Sequence, residues 1–398
     1  MRIFATKEQN RQFYFSYGAF MINGMLALSI GALLPFIRDA RGLEYAFAGF
    51  LVSMHSVGNL VASFAAGALP LLIGRKKSIL FFNAFSAVSY GMILAGGSNL
   101  LLVLAFFLTG LARGAASNYC NMKINYLAPG KAWSINGLHA MFSVGAFLFP
   151  ILLTVLTRKS EAGWVYACGF MFVMSIVSWF LYLLIPEEQD KVVKSGKKGA
   201  DMGFFKEPLF YLCIATLFFY LCAEQGVIGW MITYFKDTGL LAPSLSQITA
   251  SVLWIMILAG RLTVAWLSTK IKKEKLLVVM GIGLVLFFLL LILSRSTLWI
   301  MVGIMGFGYS MAGIYPTTVS SSGNMIQKYP LAWSFILTGA SLGSIIMPSV
   351  IGKIAETAGI FYGMSSIAAV LLIDLVCILS LVAYMGRQQT REGGVQAL

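Results

Sequence analysis

The sequence predicts an all-α membrane protein whose twelve transmembrane helices form two pseudo-symmetric six-helix bundles. Hydrophobic residues make up 59% of the 398 residues and charged residues only 11%, with a mean hydropathy of +0.84. Soluble domains carry about 25% charged residues. Several apolar runs exceed the ~20 residues that a helix needs to cross a bilayer, and one Ser-Gly-Pro pattern occurs twice along the chain. These three observations favour a duplicated helical bundle in a membrane.

The predicted spans are apolar runs separated by polar or charged loops, and each is long enough to cross the hydrocarbon core. In chain order they cover residues 13–37, 46–73, 78–96, 99–125, 132–157, 163–185, 207–235, 246–269, 276–294, 298–326, 331–355 and 359–386. The longest polar segment follows the sixth span and is predicted to be a cytoplasmic linker. The predicted organisation is therefore an N-terminal bundle over 1–185, a linker over 186–206 and a C-terminal bundle over 207–398.

The lysines and arginines distribute unevenly between the two sides that twelve spans define. Of the 29, 20 lie at the termini or in loops on the same side, 7 lie on the opposite side, and 2, Arg113 and Arg261, lie inside spans. Because positive residues concentrate on the cytoplasmic side, both termini are predicted to be cytoplasmic, with the protein in the cell membrane. The net charge of +14 is therefore interpreted as a topology signal and not as a nucleic-acid site.

A repeated pattern relates the two halves. The stretch SVGAFLFP at 143–150 returns as SLGSIIMP at 341–348, and both read Ser-x-Gly-x-x-x-x-Pro in the fifth and eleventh spans. The stretches GAL at 67–69 and GRL at 260–262 occupy the second and eighth spans at a similar offset. Two matches in corresponding helices favour duplication. The glycines also suit ordinary close packing of helices, and both interpretations stay open.

Several segments of the C-terminal half carry a family resemblance. They are YLCAEQGVIGWMITYF (220–235), AGRLTVAWLSTKI (259–271), GFGYSMAGIYPTTVSSSGNMIQKY (306–329) and TGASLGSIIMPSVIGKIAE (338–356). Together with LHAMFSVGAFLFP (138–150), they resemble the fucose/glucose–proton symporter branch of the major facilitator superfamily. The resemblance implies the major facilitator fold and proton-coupled sugar transport. It also implies residues that face the transported solute: Ser117, Asn121, Trp230, Tyr309 and Tyr315.

The sequence departs from that branch at three positions. The first span has Gly31 near the place where the branch often carries an acid, and Ser117 stands where its fourth span tends to have Glu. The loop after the second span keeps a basic cluster that begins at Arg75, but Leu71 replaces the usual acid. The drug-antiporter signature is also absent from the fifth span, which makes drug efflux less favoured.

Ionisable residues inside spans are functional candidates because an ionised group at the bilayer centre costs about 2.5–3.5 kcal/mol or more. The candidates away from the span ends are His55, Arg113, His139, Glu224, Arg261 and Asp374. Positions 113, 117 and 121 are four residues apart and share one helix face, which predicts that Arg113 faces the cavity. Arg113 is interpreted as a structural partner of Glu224 or of helix-end carbonyls, as a contact for a substrate carboxylate, or as a cation over an aromatic ring.

Glu224 matches the family's coupling-type position, which implies that it binds and releases a proton during transport. The alternative is a fixed salt bridge with Arg261 or Arg113. Arg261 and Asp374 are predicted to form a structural or gating pair, and Arg75 is assigned to the same class. His55 is interpreted either as a hydrogen-bonded packing residue or as a second titrating group in the coupling.

The sequence therefore predicts a secondary active transporter, not an enzyme, that moves a small polar solute by alternating access with protons as the coupling ion. The solute is sugar-like or carboxylate-bearing. Its predicted binding residues are Arg113, Ser117, Asn121, Gln225, Trp230, Tyr309 and Tyr315. The alternative is an exporter or flippase of amphipathic compounds or lipids on the same fold. No catalytic residue, cofactor or metal site is predicted, because the chain has no metal-ligand spacing and no nucleotide-binding loop. The predicted partners are the solute, protons and lipid, for a monomer.

Overall fold

The computed structural model describes residues 6–128, 132–160, 162–186, 202–322, 325 and 328–395. Almost all of the predicted linker, residues 187–201, lies outside this range. Over the described residues the chain is almost entirely helical and contains no strand. The predicted fold class is confirmed, and the linker assignment stays a prediction.

Thirteen α-helices account for the membrane part of the described chain. They are α1 (Lys7–Arg41), α2 (Tyr45–Ile73), α3 (Arg75–Ala95), α4 (Asn99–Leu127), α5 (Ala132–Lys159), α6 (Gly163–Leu184), α7 (Pro208–Thr238), α8 (Pro243–Leu267), α9 (Lys273–Leu293), α10 (Thr297–Met311), α11 (Ile314–Ser321), α12 (Pro330–Ala358) and α13 (Ile360–Val395). A short 3₁₀ turn at Gly203–Lys206 precedes α7. Counting α10 and α11 as one span, the described residues form twelve segments long and apolar enough to cross a membrane.

Helix ends follow from local chemistry. The Thr6 hydroxyl accepts from the backbone N–H of Gln9 at 3.1 Å, and the Gln9 side-chain oxygen accepts from the Thr6 N–H at 3.4 Å, which caps α1. Gly42 and Gly239 end α1 and α7 in the left-handed region, at φ 58° and 64°. Pro208 occupies the first turn of α7, where a missing N–H costs nothing. These signals set the lengths of the spans.

The tenth span is broken, whereas the sequence predicts one continuous helix over 298–326. The break lies at Ala312 and Gly313, between α10 and α11. Pro316 follows four residues after Ala312, and a proline ring clashes with the carbonyl four residues before it and donates no hydrogen bond to it. The sequence therefore contains the glycine and the proline that interrupt the helix, and their effect on the backbone outweighs the continuous apolar pattern.

The helices divide into two compact units. One unit comprises residues 1–196 together with Pro243–Ser251, and the other comprises residues 197–242 and 252–398. The first part of α8 belongs to the first unit through hydrogen bonds to α5. Ser251 Oγ donates to the carbonyl of Phe147 at 2.8 Å, and Gln247 Nε2 donates to Thr157 Oγ1 at 3.3 Å.

Glycines of the first unit allow helix backbones to touch. Any side chain at Gly145 of α5 would overlap the Met21 carbonyl of α1. Any side chain at Gly110 of α4 would overlap the His55 carbonyl of α2. Both helix pairs therefore pack at a distance that only glycine permits.

The second unit repeats these two contacts. A side chain at Gly343 of α12 would overlap the Phe218 carbonyl of α7, and one at Gly308 of α10 would press on the Leu253 carbonyl of α8. Gly343 and Gly308 each follow their first-unit counterparts, Gly145 and Gly110, by 198 residues. The carbonyl partners recur at an offset of 197 or 198 residues. The internal packing of the two units supports the predicted duplication more strongly than the short sequence matches do.

Candidate functional site

Four ionisable residues lie near the middle of their transmembrane helices. Arg113 is the central residue of α4 and Glu224 is one residue from the centre of α7, while His55 and Asp374 lie within about four residues of the centres of α2 and α13. Arg261 lies six residues from the centre of its span, about 9 Å along the helix. Because charge at this depth is costly, these positions are the first candidates for function.

In the first unit, a polar cluster surrounds the backbone of Arg113. Asn23 of α1 is buried, and its Nδ2 donates to Ser117 Oγ at 3.1 Å and to the Arg113 carbonyl at 3.4 Å. Asn121 Nδ2 donates to the Ser117 carbonyl at 2.8 Å. The side chains of Arg113, Ser117 and Asn121 are all half-buried. The three predicted residues thus lie along one side of α4, with Asn23 bridging two of them.

His55 packs against α4 beside this cluster. Its Nδ1 lies 2.8 Å from Thr109 Oγ1, and the Thr109 hydroxyl donates to the Phe106 carbonyl at 2.6 Å. A hydroxyl has one proton, so Nδ1 carries the hydrogen of the His55–Thr109 bond and the ring is assigned as the Nδ1–H tautomer. The ring is 3% exposed, and its Nε2 has no hydrogen-bond partner among the described residues. This placement favours the packing interpretation of His55.

In the second unit, Glu224 lies beside two tyrosines. It is half-buried on α7, and its charge acts on both Tyr220 and Tyr315. The rings of these tyrosines are 6.4 Å apart. The Tyr220 hydroxyl donates to the Met311 carbonyl at 3.3 Å. Arg261 of α8 is also within electrostatic reach of Tyr220. The buried Tyr220 hydroxyl therefore lies near both an acid, Glu224, and a cation, Arg261.

The hydrogen bond of Tyr220 is the counterpart of the one made by Asn23. Asn23 on the first helix of its unit donates to the Arg113 carbonyl on the fourth span. Tyr220 on the first helix of the other unit donates to the Met311 carbonyl on the tenth span. The donors are 197 residues apart and the acceptors 198. Sequence reasoning missed Asn23.

The predicted ion pair between Arg261 and Asp374 is not formed. Asp374 is 1% exposed and Arg261 is half-buried, and neither has an ion pair within 4 Å among the residues that the structure describes. Both act electrostatically on Tyr220. The helical pattern of α13 turns Asp374 into the apolar interior of the unit, so its carboxylate does not reach the arginine. Their assignment as a structural or gating pair stays a prediction.

The remaining predicted residues differ in accessibility. Trp230 is fully buried, and its indole N–H donates to the Pro348 carbonyl at 3.0 Å, which favours a structural role over solute contact. Gln225 is half-buried on α7, and Tyr309 on α10 is 38% exposed. Arg75 begins α3 and lines a small, mostly apolar pocket with Pro70 and other residues of α3 and α4. None of these side chains belongs to the polar cluster around Arg113 or to the group formed by Glu224, Tyr220 and Tyr315.

Two helical units with one internal packing pattern and ionisable residues at mid-membrane define a secondary transporter. The chain belongs to the Major Facilitator Superfamily, whose family model matches residues 16–329. Among curated proteins, it is similar to a TsgA homologue of Yersinia enterocolitica, at 23% identity over 358 residues that cover 87% of this chain and 89% of the relative. A TsgA homologue of Yersinia pseudotuberculosis matches at 22% identity and covers 92% and 94% of the two chains.

Solved transporter structures share the fold. A D-xylose–proton symporter superposes with a TM-score of 0.77 at 14% identity, covering 94% of this chain and 97% of the other. A bacterial homologue of the human lysosomal transporter Spinster gives 0.76 at 13%, covering 95% and 97%, and a nucleoside transporter gives 0.74 at 13%, covering 96% and 99%. The protein is therefore a multi-pass membrane transporter and not an enzyme.

Proposed function

We propose that this protein is a proton-coupled secondary transporter that carries a small polar solute across the cell membrane by alternating access, with both termini in the cytoplasm. The solute class is a sugar-like compound or one that bears a carboxylate, and the working unit is the monomer. The single observation that carries the proposal is the half-buried Glu224 at mid-membrane, beside Tyr220 and Tyr315. The fold shared with a D-xylose–proton symporter supports the same class.

Glu224 is the proposed coupling residue. It lies one residue from the centre of its span and is neither sealed in the core nor fully exposed. A carboxyl in such a position changes its proton affinity when the surrounding polarity changes, because desolvation disfavours the charged form and a nearby cation favours it. The polar groups near Glu224 include Tyr220 and Tyr315, and Arg261 lies within electrostatic reach of Tyr220. A residue in this environment is suited to bind a proton in one state and release it in another.

Arg113 and its neighbours are the proposed solute-binding residues of the first unit. Arg113 supplies a planar, two-point donor that suits a carboxylate. Ser117 and Asn121 supply a hydroxyl and an amide, which suit sugar hydroxyls. Asn23 is buried and holds Ser117 in place. The sequence-based pairing of Arg113 with Glu224 in the empty carrier stays a prediction.

The experiment has two stages. First, binding of sugars and organic anions to the purified protein is screened by thermal stabilisation. Second, the protein with the Glu224→Gln substitution is reconstituted in liposomes and tested with the solute that binds. We expect accumulation driven by a proton gradient to be lost while counterflow exchange survives, because the amide cannot release a proton.

A matched control is Glu207→Gln, which removes an acid outside the spans, in an exposed ion pair of 3.6 Å with Lys328. Accumulation by this control should match the wild type. Normal accumulation by the Glu224→Gln protein at equal expression would remove Glu224 from the coupling step. Binding of lipids or amphipathic compounds in place of sugars and anions would contradict the proposed solute class and support the alternative of an exporter or flippase.

A further inference from the structure

Asp374 interrupts an otherwise apolar buried stripe on α13. Buried residues recur along this helix at spacings of three and four, which is the pattern of one helix face packed into a core. Apart from Asp374, the members of the stripe are Met364, Ile367, Leu371, Ile378, Leu381 and Met385, none more than 7% exposed. Asp374 itself is 1% exposed and lies within about four residues of the centre of α13. A leucine would fit the pattern, so packing alone does not explain an acid.

The surroundings of Asp374 contain titratable groups but no cation in contact. On α7, Tyr220 and Cys222 lie within electrostatic reach, and on α13 itself so does Cys377. The stripe packs against α9, where Ile378 meets Gly281.

The charged residues of the other packed helices lie away from Asp374. On α9 they are in the first turn, at Lys273, Glu274 and Lys275, six or more residues before Gly281. On α12 they are Lys353 and Glu356, in the last two turns of that helix. Arg261 of α8 and Glu224 of α7 lie, like Asp374, within electrostatic reach of Tyr220. Among the described residues, however, no cation forms an ion pair with the Asp374 carboxyl within 4 Å.

The hydrogen bonding of Asp374 also indicates that a charge on its carboxyl group would be uncompensated. Its Oδ1 has no hydrogen-bond partner, and no ion pair reaches the carboxyl within the described part of the chain. An ionised carboxylate at this depth would be both desolvated and uncompensated, which is the costliest state for a buried acid. A neutral carboxylic acid avoids that cost because it carries no net charge.

We propose that Asp374 is a second proton-binding site of the transporter, occupied in this structure as a neutral carboxylic acid. During the cycle its O–H bond breaks and the proton passes to water, which leaves a carboxylate and a hydrated proton. The reverse reaction reloads the site. No electron is transferred. The coupling part of this inference rests on the proposed function, whereas the proton occupancy of Asp374 does not.

Infrared spectroscopy of the reconstituted protein tests the occupancy without any solute. A protonated carboxyl has a C=O stretch separate from the carboxylate bands. We expect this band in the wild type at neutral pH and expect Asp374→Asn to remove a component of it. The control Asp39→Asn alters an exposed acid paired with Arg38 at 2.8 Å and should leave the band intact. A spectrum of Asp374→Asn identical to that of the wild type would overturn the proposal.

Transport measurements test the release of the proton. A one-unit pH gradient coupled through one proton supports about tenfold accumulation of a neutral solute. Asp374→Asn mimics the permanently protonated acid, so accumulation should fall about tenfold per unit of gradient while exchange continues. Unchanged accumulation would show that the proton never leaves, which would overturn the release step. If the asparagine variant does not fold, Asp374→Leu completes the apolar stripe and serves in both assays.

The outcomes separate this inference from the proposed function. Loss of accumulation in Asp374→Asn together with normal accumulation in Glu224→Gln would support Asp374 and remove Glu224 from coupling. A wild type that shows no proton-dependent accumulation would refute the proposed function and the release step. In that case the infrared band still decides whether Asp374 holds a proton.

Discussion

The substitution Arg113→Lys keeps the positive charge and removes the planar guanidinium. Arg113 is the central residue of the 29-residue helix α4, so about 21 Å of helix separates it from either end. At that depth a solute carboxylate gains little from bulk water and depends on direct donors. An ammonium makes one contact where a guanidinium makes two. The loss of one charged hydrogen bond costs about 1.5–3 kcal/mol, which corresponds to about a ten- to hundredfold weaker affinity.

The assay is equilibrium binding of the identified solute to purified wild-type and variant protein, with thermal unfolding measured in parallel. Arg41→Lys is the matched control because Arg41 is half-buried like Arg113 but lies at one end of a span, where it donates to the Gly97 carbonyl at 2.8 Å. The control should bind the solute as the wild type does. Arg113→Lys should lose affinity with only a small change in stability, since the charge and most of the side-chain volume remain.

A double variant distinguishes solute recognition from a structural pair. If Arg113 serves only as the partner of Glu224, then Arg113→Gln combined with Glu224→Gln should fold normally and bind the solute with full affinity. That result would refute the anionic-solute reasoning. If Arg113 binds the solute, the double variant should fold and still show the loss of affinity.

Two further predictions concern the packing of the helices and the role of Asn23 in solute binding. Gly145→Leu and Gly343→Leu should each destabilise the protein by about 1–3 kcal/mol or prevent its assembly, because each side chain overlaps a carbonyl of the neighbouring helix. Gly169→Ala, which meets nothing within 4 Å, should leave the midpoint of thermal unfolding unchanged, and equal behaviour of all three variants would contradict the packing argument. Asn23→Ala should weaken solute binding by about 1 kcal/mol through the loss of its hydrogen bond to Ser117. Unaltered affinity would show that Asn23 does not organise the site.

The membrane spans could be predicted from the sequence because each follows from length and apolar content alone. The helices begin and end within a few residues of the predicted bounds at most positions, as for the span predicted over 46–73 and found as Tyr45–Ile73. The tenth span is the exception. Hydropathy is insensitive to backbone geometry, so a continuous apolar run hid the break at Gly313 that Pro316 imposes.

The candidate site was less predictable because it depends on which way each side chain turns. Their location inside apolar spans was enough to select Arg113, Glu224 and Asp374 as candidates from the sequence. The sequence suggested that Arg261 and Asp374 form a pair, whereas the spacing of buried residues along α13 places Asp374 within the apolar stripe. The carbonyl that accepts from Trp230 belongs to a distant helix, and no local pattern in the sequence reveals it.

The two units keep one scaffold and place opposite charges on it. In both units a side chain on the first helix donates a hydrogen bond to a backbone carbonyl on the fourth span. The donor is Asn23 in the first unit and Tyr220 in the second. The residue that carries the accepting carbonyl is Arg113 in the first unit and Met311 in the second. Glu224, by the same offset of 197 residues, has Ala27 as its counterpart. Since packing is preserved while charge is not, the charges are not needed to build either unit. This contrast agrees with the proposed roles of Arg113 in solute binding and of Glu224 in proton coupling.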